Sequence, residues 1–477
     1  MLPFASPLTH AEASAVRDAF GTPCYVYDED RIAAVADFLR HTFSIVPGFV
    51  LRYAMKANSC IGVMRTLLAK GVHIDASSLL EVNRALGYGF DPRSIQLTSQ
   101  CPISDEALLE FVFRQGVSYN ACSVTQLGNF CRVAAQLPGV HHVTVRVNPG
   151  IGSGSTARCN VGGPASSFGV WNGALDDIFR TIRGSNVRIT GLHSHIGSGT
   201  DPDVWERAAD LTLALIDRFP DVTTVSLGGG FKVDRMKPPT NLLAASTGDS
   251  GVNELAGAAE RIRQRFERYS TSTGRTLKLE LEPGTYFVAT AGVVVATVID
   301  LADTSRSVDV SMPAQAQGFF FAKLDAGMNQ VLRPSLYGAQ HPIWLFPSTT
   351  TSAPATSAAA PAVTDDADGR PCPVVFVGPC CESGDILTPL PADPEGLAPR
   401  LVARRPLVGD IVVIGGCGAY CSSMATTNYN SYPAAPEVMI RHGSRETCSE
   451  TRQLQLVRRR QTLAQVLENE VAQLATP

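Results

Sequence analysis

The chain is predicted to be an α/β protein, a (β/α)8 TIM-like barrel followed by a mainly β, sandwich- or barrel-like domain, and three observations predict it. Short apolar runs alternate eight times with longer helix-like stretches between residues 49 and 289. The positions just after those runs are crowded with ionisable residues and glycines. Past residue 289 the alternation stops and only short β-rich runs follow. The expected division is a barrel over 29–288, with 1–28 and 289–477 forming the β domain.

The eight strand-like runs are 49–55, 71–75, 95–99, 116–120, 142–148, 187–194, 223–227 and 276–281, each rich in β-branched or aromatic residues. Helix-like stretches between them, such as 62–69, 105–115 and 204–218, repeat apolar residues near the helical period. Eight such units in about 240 residues match the size and order of a barrel. A doubly wound open sheet fits less well, because no switch point divides the eight units.

In the β domain the expected strands are 292–299, 318–324, 374–377, 410–414, 437–441 and 453–458, and the opening strand-like run 23–27 is expected to pair with them. Residues 347–371 are rich in Ser, Thr, Ala and Pro, and read as a disordered insert because they carry too little apolar surface to order themselves. An amphipathic helix over 461–474 is expected to cover the end of a sheet.

At 477 residues the chain is too long for one compact core. A net charge of −4 without a basic face gives no footprint for nucleic acid. The amino terminus lacks a secretory pattern and no stretch is long enough to cross a bilayer, so the expectation is a cytoplasmic protein without membrane contact. The 12 cysteines lack doubled C-x2-C spacing; no metal site is expected, and most read as reduced core residues. The exception is the turn-rich run Gly378-Pro379-Cys380-Cys381-Glu382-Ser383-Gly384-Asp385, where a buried structural thiol is not expected.

Barrel enzymes place their chemistry at the carboxyl ends of the strands, and there this chain has Lys56, Asp75, Ser99, Arg146, Asn148, His195, the triplet Gly228-Gly229-Gly230 and Glu282-Pro283-Gly284. Packing alone would put valine and isoleucine at such positions. A lysine at the end of a buried strand should be desolvated, paired or converted to an imine; a Schiff base with an aldehyde cofactor meets that demand, and the plain alternatives are an ion pair or a side chain that snorkels to solvent. Glycine-rich turns at 195–199, 228–230 and 284 can cradle a phosphate with backbone N–H groups, as pyridoxal 5'-phosphate requires. The triplet is not a dinucleotide fingerprint, since position 233 is Val. Glu282 beside a pyridine nitrogen would favour its protonated form and make the ring an electron sink, the requirement for decarboxylation. His195 is placed to stack on the ring, and His193 is given a packing role.

These residues resemble the fold-type III pyridoxal phosphate decarboxylases, and within them the diaminopimelate decarboxylase family, over nearly the whole chain. The resemblance rests on Tyr53-Ala-Met-Lys56-Ala-Asn58, His193-Ser-His195-Ile-Gly-Ser198, Gly228-Gly-Gly230, Glu282-Pro-Gly284, Arg333-Pro-Ser-Leu-Tyr337, Cys381-Glu382-Ser383-Gly-Asp385 and Gly418-Ala-Tyr420. It implies an alanine-racemase-like arrangement of the two domains and decarboxylation of meso-2,6-diaminopimelate to L-lysine. It also implies that Lys56 carries the cofactor, His195 stacks on it and Glu282 pairs its ring nitrogen. Ser198, Gly229, Gly230, Gly284 and Tyr420 would surround the phosphate, with Asp75 and Arg146 near the lysine and the ring oxygen. Arg333 and Tyr337 would take the distal carboxylate. In a homodimer with shared sites, Cys381 of one subunit would protonate the carbanion carbon, with Glu382 and Ser383 at the substrate's far end.

Two departures bear on substrate. Where the family reads Glu-Pro-Gly-Arg, this chain has Thr285, which cannot form a bidentate pair with a carboxylate or phosphate. The family's lysine before Phe168 is also absent, the segment reading Ser166-Ser167-Phe168-Gly169. The glycine-rich loop 150–163 reads either as a mobile lid or as a plain surface loop. The competing functions are a decarboxylase of lysine or ornithine of either hand, an alanine-racemase-like enzyme, and a non-catalytic regulatory relative. The last should have lost Lys56 or Cys381, and both are present.

Overall fold

The computed structural model describes residues 4–154, 157–198, 202–237, 250–305, 318–348, 371–442 and 452–470. Two compact units result, one of Glu29–Val233 and Thr240–Val288, the other of Met1–Asp28, Asp234–Pro239 and Ala289–Pro477.

The first unit is a closed barrel of eight parallel strands: β1 Val50–Ala54, β2 His73–Ala76, β3 Ile95–Leu97, β4 Ser118–Ala121, β5 His141–Asn148, β6 Val187–His193, β7 Thr224–Ser226 and β8 Lys278–Leu281. Each pairs with the next, and β8 returns to β1, with Leu281 opposite Leu51. All eight expected runs are therefore strands, with ends shifted by one or two residues: most are trimmed, while Ala76, Ala121 and His141 extend theirs by one. A two-residue strand, Val170–Trp171, is added beside the end of β5. Two of the helices begin on serines just past a strand end that cap them. Ser78 accepts from the Glu81 N–H at the start of Leu79–Gly87, and Ser123 accepts from Gln126 N–H at the start of Val124–Ala134. The expected helix at 105–115 starts as Asp105–Ala107 and continues as a wider π-helical stretch, Leu108–Arg114.

Inside the barrel the usual apolar filling is interrupted by polar side chains. Arg52 on β1 and Glu280 on β8 form a bidentate pair, Nε to Oε2 at 3.1 Å and Nη2 to Oε1 at 3.0 Å, both side chains nearly sealed from solvent. Gln96, Asn120, His193 and Ser226, from β3, β4, β6 and β7, are also buried. Polar residues this deep must satisfy one another, and they lead to the site.

The second unit is built on a nine-stranded sheet. Strand Cys24–Asp28 lies between Gly292–Asp303, to which it runs antiparallel, and Glu437–Arg441, to which it is parallel. Gln453–Arg458 extends that edge, and Phe320–Leu324, Cys372–Val377 and Arg400–Val402 extend the other. Ile411–Ile414 pairs with Gly292–Asp303 and with Ile343–Phe346, a strand not anticipated from sequence. Helix His10–Phe20, capped by a reciprocal Thr9–Glu12 box, lays Ala13 and Val16 on a core of Val26, Val293, Val295, Ile411, Val413 and Val438. The expected helix over 461–474 is shorter, Leu463–Val466, and 471–474 lie outside the described residues. Among the described residues its leucines are left largely open, Leu463 66% and the following Leu467 43% exposed. The insert at 349–370 also lies outside the described residues. Among the described residues no helix is long and apolar enough to cross a membrane.

Candidate active site

The barrel brings Lys56, Asp75, Arg146, His195, Ser198, Gly229, Gly230, Glu282 and Gly284 to the carboxyl ends of its strands. Lys56 follows β1 in a single tight turn, Met55–Ala57. Met55 and Ala57 are fully buried and anchor that turn, whereas Lys56 is exposed, so of the alternatives open to a strand-end lysine it is the side chain reaching solvent that is found, not a buried one. The turn carries the side chain off the strand end and leaves it open to solvent.

Glu282 is the most heavily partnered of these residues. Oε1 accepts from Gln96 Nε2 at 2.9 Å and from Ser226 Oγ at 2.8 Å, and Oε2 lies 3.3 Å from His193 Nε2. Burial opposes ionisation of this carboxyl, but His193, the Ser226 hydroxyl and the charge of Arg52 outweigh it and hold Glu282 below the ordinary carboxylate range. His193 thus has a polar role rather than the packing role expected of it, and its Nδ1 lies 2.8 Å from Asn120 Nδ2. Gln96, Asn120 and Ser226 were missed from sequence. Gln96 carried a signal, as the lone polar residue of Ile95–Leu97, whereas Asn120 and Ser226 share their short strands with Ser118 and Thr224 and do not stand out.

Asp75, at the end of β2 beside Gln96 of β3, behaves oppositely. Burial and the charge of Glu282 push its carboxyl up to about 8, with the Lys56 charge and a hydrogen bond from Thr98 pulling the other way. Arg146 is buried on β5, with its guanidinium 5.2 Å from the centre of the Phe168 ring, and burial lowers its pKa. His195 is driven well below its usual pKa by burial and by the charges of Arg146 and Lys56, so its ring is neutral.

The glycines here are constrained by close packing. Gly228 has φ +64°, and a Cβ there would sit 2.7 Å from His195 Nδ1. A Cβ on Gly229 would meet the Glu282 carbonyl at 2.5 Å, and one on Gly284 would press on Ala57 and Ala54. The loop read as lid or surface loop is tied down: Ser153 and Val161 N–H groups donate to Ile196 O, and Ser198 N–H donates to Cys159 O at 3.0 Å. Asn148 binds it from beneath through Gly150 and Gly163. Gly199 and the loop residues 155–156 lie outside the described residues.

The β unit carries the other expected site residues. Arg333 and Tyr337 share the short helix Arg333–Tyr337, the guanidinium 5.5 Å from the ring centre. Tyr420 occupies the left-handed region at φ +56°. In the cysteine loop the two thiols differ, contrary to expectation. Cys380 is buried, its N–H donating to Asp385 Oδ2 at 2.9 Å, and burial pushes its thiol up to about 12. Cys381 is exposed, held through its N–H by Asn430 Oδ1 at 2.9 Å. Glu382, also exposed, accepts from Gly384 N–H and from the neighbouring Ser383 hydroxyl. The loop is shaped by Asp385, whose carboxylate occupies the space a Cβ would need at Gly327 and Gly378.

Residues 32–289 match the family model described as the pyridoxal-binding domain of pyridoxal-dependent decarboxylases. The chain is 33% identical to the diaminopimelate decarboxylase of Streptomyces coelicolor, covering 94% of this chain and 90% of the relative. It is 32% identical to that of Escherichia coli K12, covering 95% and 94%. A solved structure of a diaminopimelate decarboxylase superposes with a TM-score of 0.76 at 29% identity, covering 98% of this chain and 97% of the other. An ionised carboxylate buried at the barrel's strand ends, a lysine after the first strand and relatives matched over at least nine-tenths of their length agree: this chain belongs to the diaminopimelate decarboxylase family of pyridoxal-dependent decarboxylases.

Proposed function

We propose that this protein is a cytoplasmic, homodimeric diaminopimelate decarboxylase that converts meso-2,6-diaminopimelate to L-lysine and carbon dioxide, the last step of lysine biosynthesis. The observation that carries the reading is Glu282, a carboxylate kept ionised in a buried site by His193, the Ser226 hydroxyl and the charge of Arg52, with Gln96 as a further donor. It suits the protonated ring nitrogen of pyridoxal 5'-phosphate. When bound, that ring supplies the electron sink for the electron pair left by departing carbon dioxide.

In this reading each residue has a stated task. Lys56 holds the cofactor's aldehyde carbon, and the neutral ring of His195 stacks on the pyridine face. Asp75 and Arg146 flank the lysine and the ring oxygen, Asp75 as a protonated carboxyl at neutral pH. Ser198, Gly229, Gly230, Gly284 and Tyr420 receive the phosphate. Arg333 and Tyr337 bind the distal carboxylate. Cys381, supplied by a second subunit, returns a proton to the reacting carbon, with Glu382 and Ser383 at the distal ammonium. Mixing Lys56→Ala and Cys381→Ala proteins tests the shared site, because activity should reappear only if subunits exchange intact halves.

A second reading, decarboxylation of lysine or ornithine, is favoured by Thr285 in place of the family's arginine. Carbon dioxide release from meso-diaminopimelate, compared with both hands of lysine and ornithine, separates the two. Release from diaminopimelate alone supports the proposal. Release only from a monocarboxylate transfers it to the second reading.

A further inference from the structure

We propose that Arg235 is a specificity-determining residue that joins Arg333 in holding the substrate's distal carboxylate, and so supplies a second guanidinium where the family's Glu-Pro-Gly-Arg motif has lost its own to Thr285. The inference rests on the reading that Arg333 takes that carboxylate.

In sequence Arg235 lies between β7 and β8 of the barrel, yet Asp234–Pro239 is part of the β unit that holds Arg333, Tyr337 and Tyr420. Its side chain is fixed by backbone. Nε donates to Gly416 O at 2.9 Å, and a Cβ on Gly416 would meet the arginine's Cβ, Cγ and Cδ at 3.0, 2.9 and 2.8 Å. That turn is itself held by His341, whose Nδ1 lies 2.8 Å from Gly415 O.

The rest of the guanidinium has nothing to bind. Arg235 Nη2 and Arg333 Nε are both sealed from solvent and meet no acceptor among the described residues. Sealing a cation's N–H away from both water and an acceptor is costly, so the arrangement calls for an anion. Burial and then the charge of Arg333 lower Arg235 to about 9, which leaves it a cation at neutral pH. The neighbouring carboxylate, Asp234, is turned to Lys237 Nζ at 3.7 Å and to the Met236 N–H at 3.0 Å. His341, driven well below its usual pKa by burial and by both arginines, is neutral. Cys421 is drawn below its usual range by a hydrogen bond from Cys417 and, against burial, by the two guanidiniums. Even as a thiolate it would offer one charge to two cations. A carboxylate matches a guanidinium in charge and in bidentate geometry. Arg333 acts on Arg235 more strongly than Tyr420 does, which favours the distal carboxylate over the cofactor's phosphate as that anion.

Loss of carbon dioxide from meso-diaminopimelate leaves L-lysine with the distal carboxylate intact, whereas 1,5-diaminopentane lacks it. The test titrates both calorimetrically into full-length holoenzyme of wild type, Arg235→Met, Arg235→Lys and Arg333→Met. Arg235→Met should weaken L-lysine by about tenfold or more and raise the KM for meso-diaminopimelate similarly, with kcat little changed. Its affinity for 1,5-diaminopentane should be no weaker than that of wild type, and Arg235→Lys should recover part of the loss. Wild-type affinity for L-lysine in Arg235→Met, with Arg333→Met impaired, overturns the role of Arg235 and leaves the reading of Arg333 standing. Wild-type affinity in both variants, or consumption of L-lysine as a substrate, removes that reading and the inference with it. Equal loss of both ligands in the methionine and lysine variants assigns Arg235 to the turn at Gly416 and overturns the proposal. A weakened hold on pyridoxal phosphate with L-lysine unaffected assigns it to the phosphate and does the same.

Discussion

Glu282 and Asp75, two buried carboxyls at one end of the barrel, hold opposite protonation states, and the first adds to what burial does to the second. The charge of Glu282 and burial lift Asp75 to about 8, while His193, Ser226 and Arg52 keep Glu282 ionised against its own burial. Two like groups driven apart in this way mark a site prepared to hold one negative charge and one proton.

That relationship fixes a pH dependence of stability. Asp75 binds its proton more tightly when folded, so stability declines as pH rises from about 4 to about 8. Glu282 acts in the other direction, adding stability above its unfolded value that is lost on acidification. Asp75→Asn should remove the first effect and raise stability at pH 8 by about 1–3 kcal/mol relative to pH 5. Thermal denaturation of the cofactor-free protein across this range checks it, and parallel curves for the two proteins would refute it.

The Arg52–Glu280 pair is buried and doubly hydrogen-bonded, so losing one partner strands the other charge. Glu280→Leu or Arg52→Met alone should cost about 3–5 kcal/mol, and the double variant should recover most of it. Urea unfolding of the three proteins measures this, and additive losses would show that the pair is not the unit responsible.

Gly228 and Gly184 both have positive φ, +64° and +72°, but only Gly228 has a neighbour in the way. An alanine at either position should lose about 1–2 kcal/mol to backbone strain. Gly228→Ala should also displace the His195 ring and change the absorbance of bound cofactor, whereas Gly184→Ala should leave the spectrum alone. Identical spectra would mean that Gly228 serves the turn only.

Asn430 combines a left-handed backbone, φ +51°, with a side-chain acceptor for Cys381 N–H. Asn430→Gly keeps the backbone and removes the acceptor; Asn430→Asp keeps both. Turnover should fall several-fold in the glycine variant and remain near wild type in the aspartate variant. Equal kinetics in the two would dissociate Asn430 from the placement of Cys381.

Strand positions were readable because parallel barrel strands are buried on both faces and stand out as apolar runs. The residues after them stood out by contrast. What escaped was set by tertiary pairing. Gln96, Asn120 and Ser226 become the surroundings of Glu282 and His193 only when β3, β4 and β7 meet β6 and β8 around the barrel. The exposure of Lys56 depends on one tight turn, and the burial of Cys380 on Asp385 folding back over the loop. Helix His10–Phe20 was legible in principle, since Thr9 and Glu12 spell a capping box, but its apolar face is short.

The sheet position of Cys24–Asp28 has a consequence for synthesis on the ribosome. Its two neighbours begin at Gly292 and Glu437, so one of the first strands to emerge waits for nearly the whole chain before both of its edges are covered. Meanwhile every barrel strand from Val50 to Leu281 is translated before Gly292, the start of the first of those neighbours. The nascent protein can therefore close its barrel while an apolar strand near its own amino terminus is still unpaired. A chaperone that holds that segment, or a late stall before residue 437, should decide yield more than any step in the barrel.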